Sequence, residues 1–216
     1  MKTAVIAGTP IDTRMGVDFL RSRDPEIETV FLPLTSTPRE CHLFQLGEYA
    51  QKQAQMLAHL EKASSAGVRD FFIYCNSLSS SVDFDALAAE TGFRIVTPGT
   101  AYTQLASRFD TIAVLAANCQ TPRWAEDVFT AANPAGYVYG TGCLRLVEAV
   151  ERGDAPADIV KAFRLDSLCA WYAAAGAEAL VIGCTHFPYF AEALREVCPL
   201  PVIDPADVMY AELMAE

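Results

Sequence analysis

Short uninterrupted apolar runs alternate along the chain with longer stretches in which apolar positions recur every three or four residues. The runs Ala4–Ala7, Glu28–Leu32, Phe71–Tyr74, Arg94–Val96, Ile112–Ala116, Leu180–Ile182 and Val202–Ile203 read as strands. A strand covered on both faces has no polar alternation to display, so continuity is its mark. Between them lie helices. The clearest is Phe44–Ala63, with Leu46, Tyr49, Ala50, Gln53, Met56, Leu57 and Leu60 at helical spacing; Asp158–Ala174 is another. Strand and helix in alternation predict an α/β fold of parallel sheets flanked by helices and joined by right-handed crossovers. In such sheets ligands bind beyond the carboxyl ends of the strands.

The pattern repeats. Ala66-Gly67-Val68-Arg69-Asp70-Phe71-Phe72-Ile73-Tyr74-Cys75 lies over Ala175-Gly176-Ala177-Glu178-Ala179-Leu180-Val181-Ile182-Gly183-Cys184 at an offset of 109 residues, from 75 to 184. The same offset carries Ala4–Gly8 onto Ala113–Ala117 and Asp12 onto Thr121, and a shift of two residues brings Ile95-Val96-Thr97-Pro98 onto Val202-Ile203-Asp204-Pro205. Any two α/β units look somewhat alike, but matches kept in register near half the chain length point to a duplicated lobe. The expected lobes are residues 1–97 with 203–216, and residues 98–202. A pseudo-twofold relation between them places Cys75 and Cys184 at equivalent strand ends, facing each other across one cleft.

Composition narrows the function. With 216 residues and 52% apolar side chains, the chain is long enough for two small cores. A formal net charge of −11 opposes binding to nucleic acid or to an anionic membrane surface. Met1–Gly8 has a single Lys and only a short apolar run, which suits a first strand better than a secretory leader, and no apolar stretch approaches the ~20 residues that span a bilayer. Seven Cys, an odd number with no Cys-x-x-Cys pair, do not form a secreted disulfide framework, so a cytoplasmic protein is expected.

Two thiols on opposite walls suit one kind of chemistry. Inverting a stereocentre beside a carboxylate needs one group to remove the α-proton and another to deliver a proton from the other face. A thiol, with a reference pKa of about 8.5, is readily tuned toward neutrality for either task. Asn76 and Ser77 follow Cys75, and Thr185 and His186 follow Cys184; these short polar side chains and nearby N–H groups suit a carboxylate. A Cys taken singly is more often a core residue, and Cys41, Cys143, Cys169 and Cys198 are assigned to packing. Cys119, after the strand 112–116, stands between packing and lining the cleft.

These motifs resemble those of the aspartate/glutamate racemase family, nearest to glutamate racemase. Tyr74-Cys75-Asn76-Ser77 is similar to the family's Cys-Asn-Thr, and Gly183-Cys184-Thr185-His186-Phe187-Pro188 to its Gly-Cys-Thr-His-Tyr-Pro. Asp12-Thr13 resembles an Asp-Ser after the first strand, Asn118 to Thr121 a Thr-x-x-Thr, and Cys143 with Glu151 and Gly153 a Cys-x7-Glu-x-Gly stretch. The resemblance implies a two-base racemase without pyridoxal or any other cofactor or metal. Asp12 would assist Cys75, His186 would assist Cys184, and Glu151 would support His186. Thr13, Asn76, Ser77, Asn118, Thr121 and Thr185 would bind the substrate's α-carboxylate and amino group, in a homodimer taking a small amino acid. Independently, a Schiff base needs a Lys, and the four here are ill placed: Lys2 opens a strand, while Lys52, Lys62 and Lys161 fall within helices.

The chain departs from glutamate racemase where the substrate side chain is held. Arg14-Met15-Gly16 replaces glycines after Asp12-Thr13, and Pro33-Leu34-Thr35 stands where the family has Pro-Tyr-Gly. Arg14 is suited to pair bidentately with a side-chain carboxylate, and equally to sit exposed in a loop. Rival readings are hydantoin racemisation, maleate isomerisation, a one-Cys malonate decarboxylation, and a two-lobed binding protein without chemistry. Cys-x-His spacing is poor for zinc, and a redox pair would need Cα atoms within about 7 Å. Gly140-Thr141-Gly142 lacks the third glycine of a dinucleotide loop, having Arg145 there.

Overall fold

The computed structural model describes residues 2–215, which form two compact units, residues 2–98 with 208–215 and residues 99–207. The first unit runs β1 (Lys2–Ile6), α1 (Pro10–Arg23), β2 (Glu28–Phe31), α2 (Pro38–Gln45), α3 (Tyr49–Ser64), β3 (Asp70–Ile73), α4 (Asn76–Ser79), α5 (Phe84–Thr91) and β4 (Arg94–Val96). The second runs α6 (Gly99–Ala106), β5 (Thr111–Ala116), α7 (Gln120–Ala132), β6 (Tyr137–Gly142), α8 (Leu144–Glu151), α9 (Pro156–Ala162), α10 (Leu165–Ala174) and β7 (Ala179–Gly183). It continues through a 3-10 turn at Phe187–Phe190, α11 (Ala191–Arg195) and β8 (Val202–Ile203) into α12 (Ala206–Met214), which from Val208 onward belongs to the first unit. The return comes later than residue 203 because Ile203 still pairs with Val181.

Each unit holds a parallel four-stranded sheet, ordered β2-β1-β3-β4 in the first and β6-β5-β7-β8 in the second. The repeat extends to the ladders. Lys2 pairs with Glu28 and Thr3 with Asp70; Thr111 pairs with Tyr137 and Ile112 with Ala179, the same partners shifted by 109 residues. Past their first residues the central strands are buried, with Val5, Ile6, Phe71, Phe72 and Ile73 in one core and Ile112, Val114 and Val181, joined by Phe129 of α7, in the other. Burial of a side chain of this size contributes roughly 1.5–3 kcal/mol, so these strands anchor their units.

The sequence pattern misses one strand and joins two helix pairs. β6 is half exposed along its length, so it shows no apolar run, and Gly140-Thr141-Gly142 is strand rather than loop. The helix expected over 44–63 breaks at Leu46-Gly47-Glu48, where Gly47 N–H turns back to the Phe44 carbonyl and Glu48 is extended. Met56 and Leu60 are buried as expected, while Leu46 and Tyr49 are exposed. The helix expected over 158–174 breaks at Arg164, whose φ of 53° is left-handed. Such a conformation costs a side-chain-bearing residue about 1 kcal/mol and cannot continue an α-helix.

Gly142 ends β6 against the turn that follows β5. A Cβ there would lie 2.3 Å from the Asn118 carbonyl carbon and 2.5 Å from the Cys119 nitrogen. Backbone cannot yield as a flexible side chain can, so Gly142→Ala should destabilise the protein by about 1–3 kcal/mol, as overpacked sites do. Thermal unfolding measures it, and an unchanged Tm would mean that the Asn118–Cys119 turn moves freely.

Candidate active site

In the first unit the chemistry gathers beyond β1 and β3, the two adjacent central strands. Thr9 caps α1, and Asp12 completes a capping box. One Asp12 oxygen accepts from Thr9 N–H at 2.7 Å and Thr9 Oγ1 at 2.9 Å, the other from Gly8 N–H at 3.2 Å. Asp12 is therefore not itself the N-cap: it is a buried carboxylate fixed by the loop that it organises. Thr13 is fully buried, its hydroxyl donating to the Thr9 carbonyl at 2.7 Å.

Arg14 behaves differently. Two residues along a helix correspond to a turn of about 200°, so it points away from Asp12. It is exposed, with its guanidinium 4.7 Å from the centre of the Phe31 ring on β2.

Cys75, separated from the end of β3 by Tyr74, begins a tight turn of serines. Ser79, Ser80 and Ser81 return their hydroxyls to the Cys75, Ser77 and Leu78 carbonyls, and Asn76 and Ser77 are buried among them. The Cys75 thiol lies 3.4 Å from Ser77 Oγ. A hydrogen bond from Cys41 holds its pKa below the ordinary thiol value, helped by Ser77 and the Leu78 N–H, while burial and the Asp12 charge oppose the shift. Cys41 thus belongs to this cluster and not, as the sequence reading had it, to packing alone. It arrives because Leu34 and Thr35 N–H extend the pairing of β2 along the Ala7 and Gly8 carbonyls, delivering α2 to the end of β1. Gln45, buried one turn beyond Cys41, completes the group.

In the second unit Cys184 follows β7 directly. His186 Nδ1 lies 3.8 Å from Cys184 Sγ, and its Nε2 is 3.0 Å from Glu151 Oε1 at the end of α8. With Nε2–H donated to the carboxylate, the Nδ1 lone pair faces the thiol, and a proton taken from sulfur would be stabilised by Glu151. Thr185 is buried, and its hydroxyl has no partner among the described residues. Asn118 Oδ1 accepts from the N–H groups of Gln120 and Thr121 at 3.1 Å each and from Thr121 Oγ1 at 3.3 Å, so Asn118 and Thr121 build the start of α7. Cys119 between them is exposed.

Tyr102, overlooked in the sequence, is fully buried near Cys184; burial first, then the charge of Cys184, pushes its phenol pKa up. Nothing in its local pattern separates it from a core aromatic. Among the described residues no three His, Cys, Asp or Glu side chains cluster as metal ligands, and no helix is long and apolar enough to cross a membrane.

The family model described as Asp/Glu/Hydantoin racemase matches residues 22–213. A glutamate racemase of Beutenbergia cavernae is 32% identical over 157 residues, covering 68% of this chain and 52% of that protein. One of Cupriavidus pinatubonensis is 26% identical over 148 residues, covering 67% and 54%. The chain spans about half the length of these curated relatives. Among solved structures, glutamate racemase from Francisella tularensis in complex with D-glutamate superposes with a TM-score of 0.78 at 20% identity, covering 98% of this chain and 79% of that one. An aspartate racemase homologue from Pyrococcus horikoshii superposes with a TM-score of 0.67 at 15% identity, covering 99% and 98%. These structures share the fold.

Two outcomes follow. The negative charge of Asp12 disfavours the Cys75 thiolate, so Asp12→Asn, which keeps an acceptor oxygen, should move the Cys75 titration to still lower pH. A shift upward, followed by NMR of cysteine labelled at Cβ, would show that Asp12 works through loop geometry instead. Arg14→Ala should cost about 0.5–1 kcal/mol for the lost contact with Phe31 and leave the titration of Cys75 unchanged, as thermal unfolding and the same NMR experiment would report.

Proposed function

The chain belongs to the Asp/Glu/Hydantoin racemase family, and from that premise we propose that it racemises an acidic amino acid through Cys75 and Cys184. One thiolate removes the Cα proton, the electron pair is taken up by the substrate carboxylate as an enolate-like state, and the other thiol protonates the opposite face. The observation that carries this reading is the equivalent placement of the two thiols, each at the carboxyl end of the corresponding strand of a duplicated sheet and each beside a polar partner, Ser77 at 3.4 Å and His186 at 3.8 Å.

The supporting groups have distinct parts. The bond from Cys41 and the hydroxyl of Ser77 favour thiolate at Cys75, which suits it to abstraction. His186, held by Glu151, exchanges a proton with Cys184. The buried, unpartnered hydroxyl of Thr185 is suited to a substrate carboxylate or amino group, because an unsatisfied buried hydroxyl costs about 1–3 kcal/mol until a ligand meets it. Ser77 presents its hydroxyl beside Cys75, and the buried Asn76 next to it is assigned to the substrate. Asp12, Asn118 and Thr121 shape the loops around these positions. The choice of an acidic substrate rests on the relatives named glutamate racemase and on the D-glutamate bound to the Francisella tularensis protein. Arg14, whose guanidinium lies over the Phe31 ring, is not used in this reading.

Incubation with each enantiomer of glutamate and aspartate in D₂O, without added cofactor, should place deuterium at Cα and interconvert one pair. Cys75→Ser and Cys184→Ser should each lower racemisation by about 10²–10⁴, the ordinary worth of a general acid or base, while keeping the fold. Absence of exchange with all four amino acids would sink the reading.

A further inference from the structure

The mechanism just proposed leaves one buried nucleophile unused. Cys41 is 6% exposed, and its thiol interacts with that of Cys75, each shifting the other's ionisation. It lies four residues before Gln45 on α2, so both side chains project from one face of the helix. Gln45 Nε2 donates to Cys41 Sγ at 3.0 Å and to Ser77 Oγ at 2.8 Å. Both amide hydrogens are thereby directed at the two groups that flank Cys75. A hydroxyl or thiol that accepts from an amide has its own hydrogen left to donate elsewhere. For Ser77 the neighbour is Cys75 Sγ at 3.4 Å, and for Cys41 it is the same sulfur.

Which of the two thiols holds the charge follows from counting donors. Cys75 is favoured as thiolate by Cys41, by Ser77 at 3.4 Å and by the Leu78 N–H, whereas the group that favours thiolate at Cys41 is the neutral Gln45 amide at 3.0 Å. The titratable groups that face Cys75 are Cys41 from α2 and Asp12 from α1, and the Asp12 charge disfavours both thiolates. We infer that Cys41 and Gln45 are positioning residues for Cys75: Gln45 turns the Cys41 S–H and the Ser77 O–H onto Cys75 Sγ, so that Cys75 carries the charge and Cys41 keeps its proton. The packing agrees, because a Cβ on Gly8 would lie 2.5 Å from Cys41 Sγ, so the glycine is what lets the second thiol come this close to the loop. The catalytic meaning of the arrangement rests on the racemase reading; the placement of the charge does not.

The test is the pH titration of each thiol in the full chain labelled at cysteine Cβ, with Cys75 assigned by its disappearance in Cys75→Ser. Cys41→Ala should raise the Cys75 titration by about one unit, about tenfold less thiolate at neutral pH. Cys41→Ser, which keeps a donor, should restore most of it. Gln45→Met, of similar volume but without an amide, should move Cys75 in the same direction as Cys41→Ala. A Cys75 titration identical in all three variants, or Cys41 ionising before Cys75 in the parent protein, would overturn the inference. Should Cys41→Ala fail to fold, the comparison of Gln45→Met with the parent decides. If Cys75 shifts as expected while the parent exchanges no α-proton, the positioning stands and the racemase reading falls.

Discussion

Two parallel strands side by side, hidden from water on both faces, set the terms for each unit. Their ladder satisfies the backbone internally and leaves their carboxyl ends as the place where polar side chains can gather. In the first unit, the ends of β1 and β3 bring the Gly8–Asp12 loop beside Cys75; in the second, the ends of β5 and β7 bring the Asn118–Thr121 turn and the Cys184–His186 turn to one end of the sheet. What the apolar strands fix is the position of the loops. What the loops contain is then free to differ.

This division explains how far the sequence could be read. The central strands announce themselves because burial on both faces leaves an apolar run, and the thiols follow those runs directly. β6 was invisible for the opposite reason: an edge strand half open to solvent carries Tyr137-Val138-Tyr139-Gly140, with no continuous apolar signature. The repeat held the missing information, since adding its offset to β2 lands on Tyr137, and strict use of it would have recovered the strand. The breaks at Gly47 and Arg164 were hidden because helical periodicity carries over a short interruption that does not change the apolar pattern.

The site was legible where a side chain's neighbours lie close in sequence, and opaque where they do not. Cys184 and His186 are two residues apart, and Cys75 and Ser77 likewise. Glu151 meets His186 from another helix, a contact that came from resemblance to a family and not from spacing. Gln45 reaches Ser77 from 32 residues upstream, and Cys41 stands on the same helix; a Cys on the apolar side of a helix looks like packing until the fold shows what it touches. The one available hint was a buried Gln on that same side, since an amide kept out of water needs partners. For Arg14 the sequence left two places open, beside a carboxylate or at the surface, because its charge suits either; the helix puts it on an exposed face, over Phe31.

The duplicated sheets carry unequal thiols. Cys75 is surrounded by neutral donors and a fixed carboxylate, whereas Cys184 faces an imidazole backed by Glu151. For the racemisation proposed above, this inequality has a limit set by thermodynamics. Enantiomers in water have equal free energy, so the overall equilibrium constant is one, and the Haldane relation requires kcat/KM to be the same from either side. Whatever advantage one thiol holds as a base must therefore return as tighter binding of one hand of substrate and slower turnover of it, so the two halves of the protein can diverge in chemistry without favouring either product.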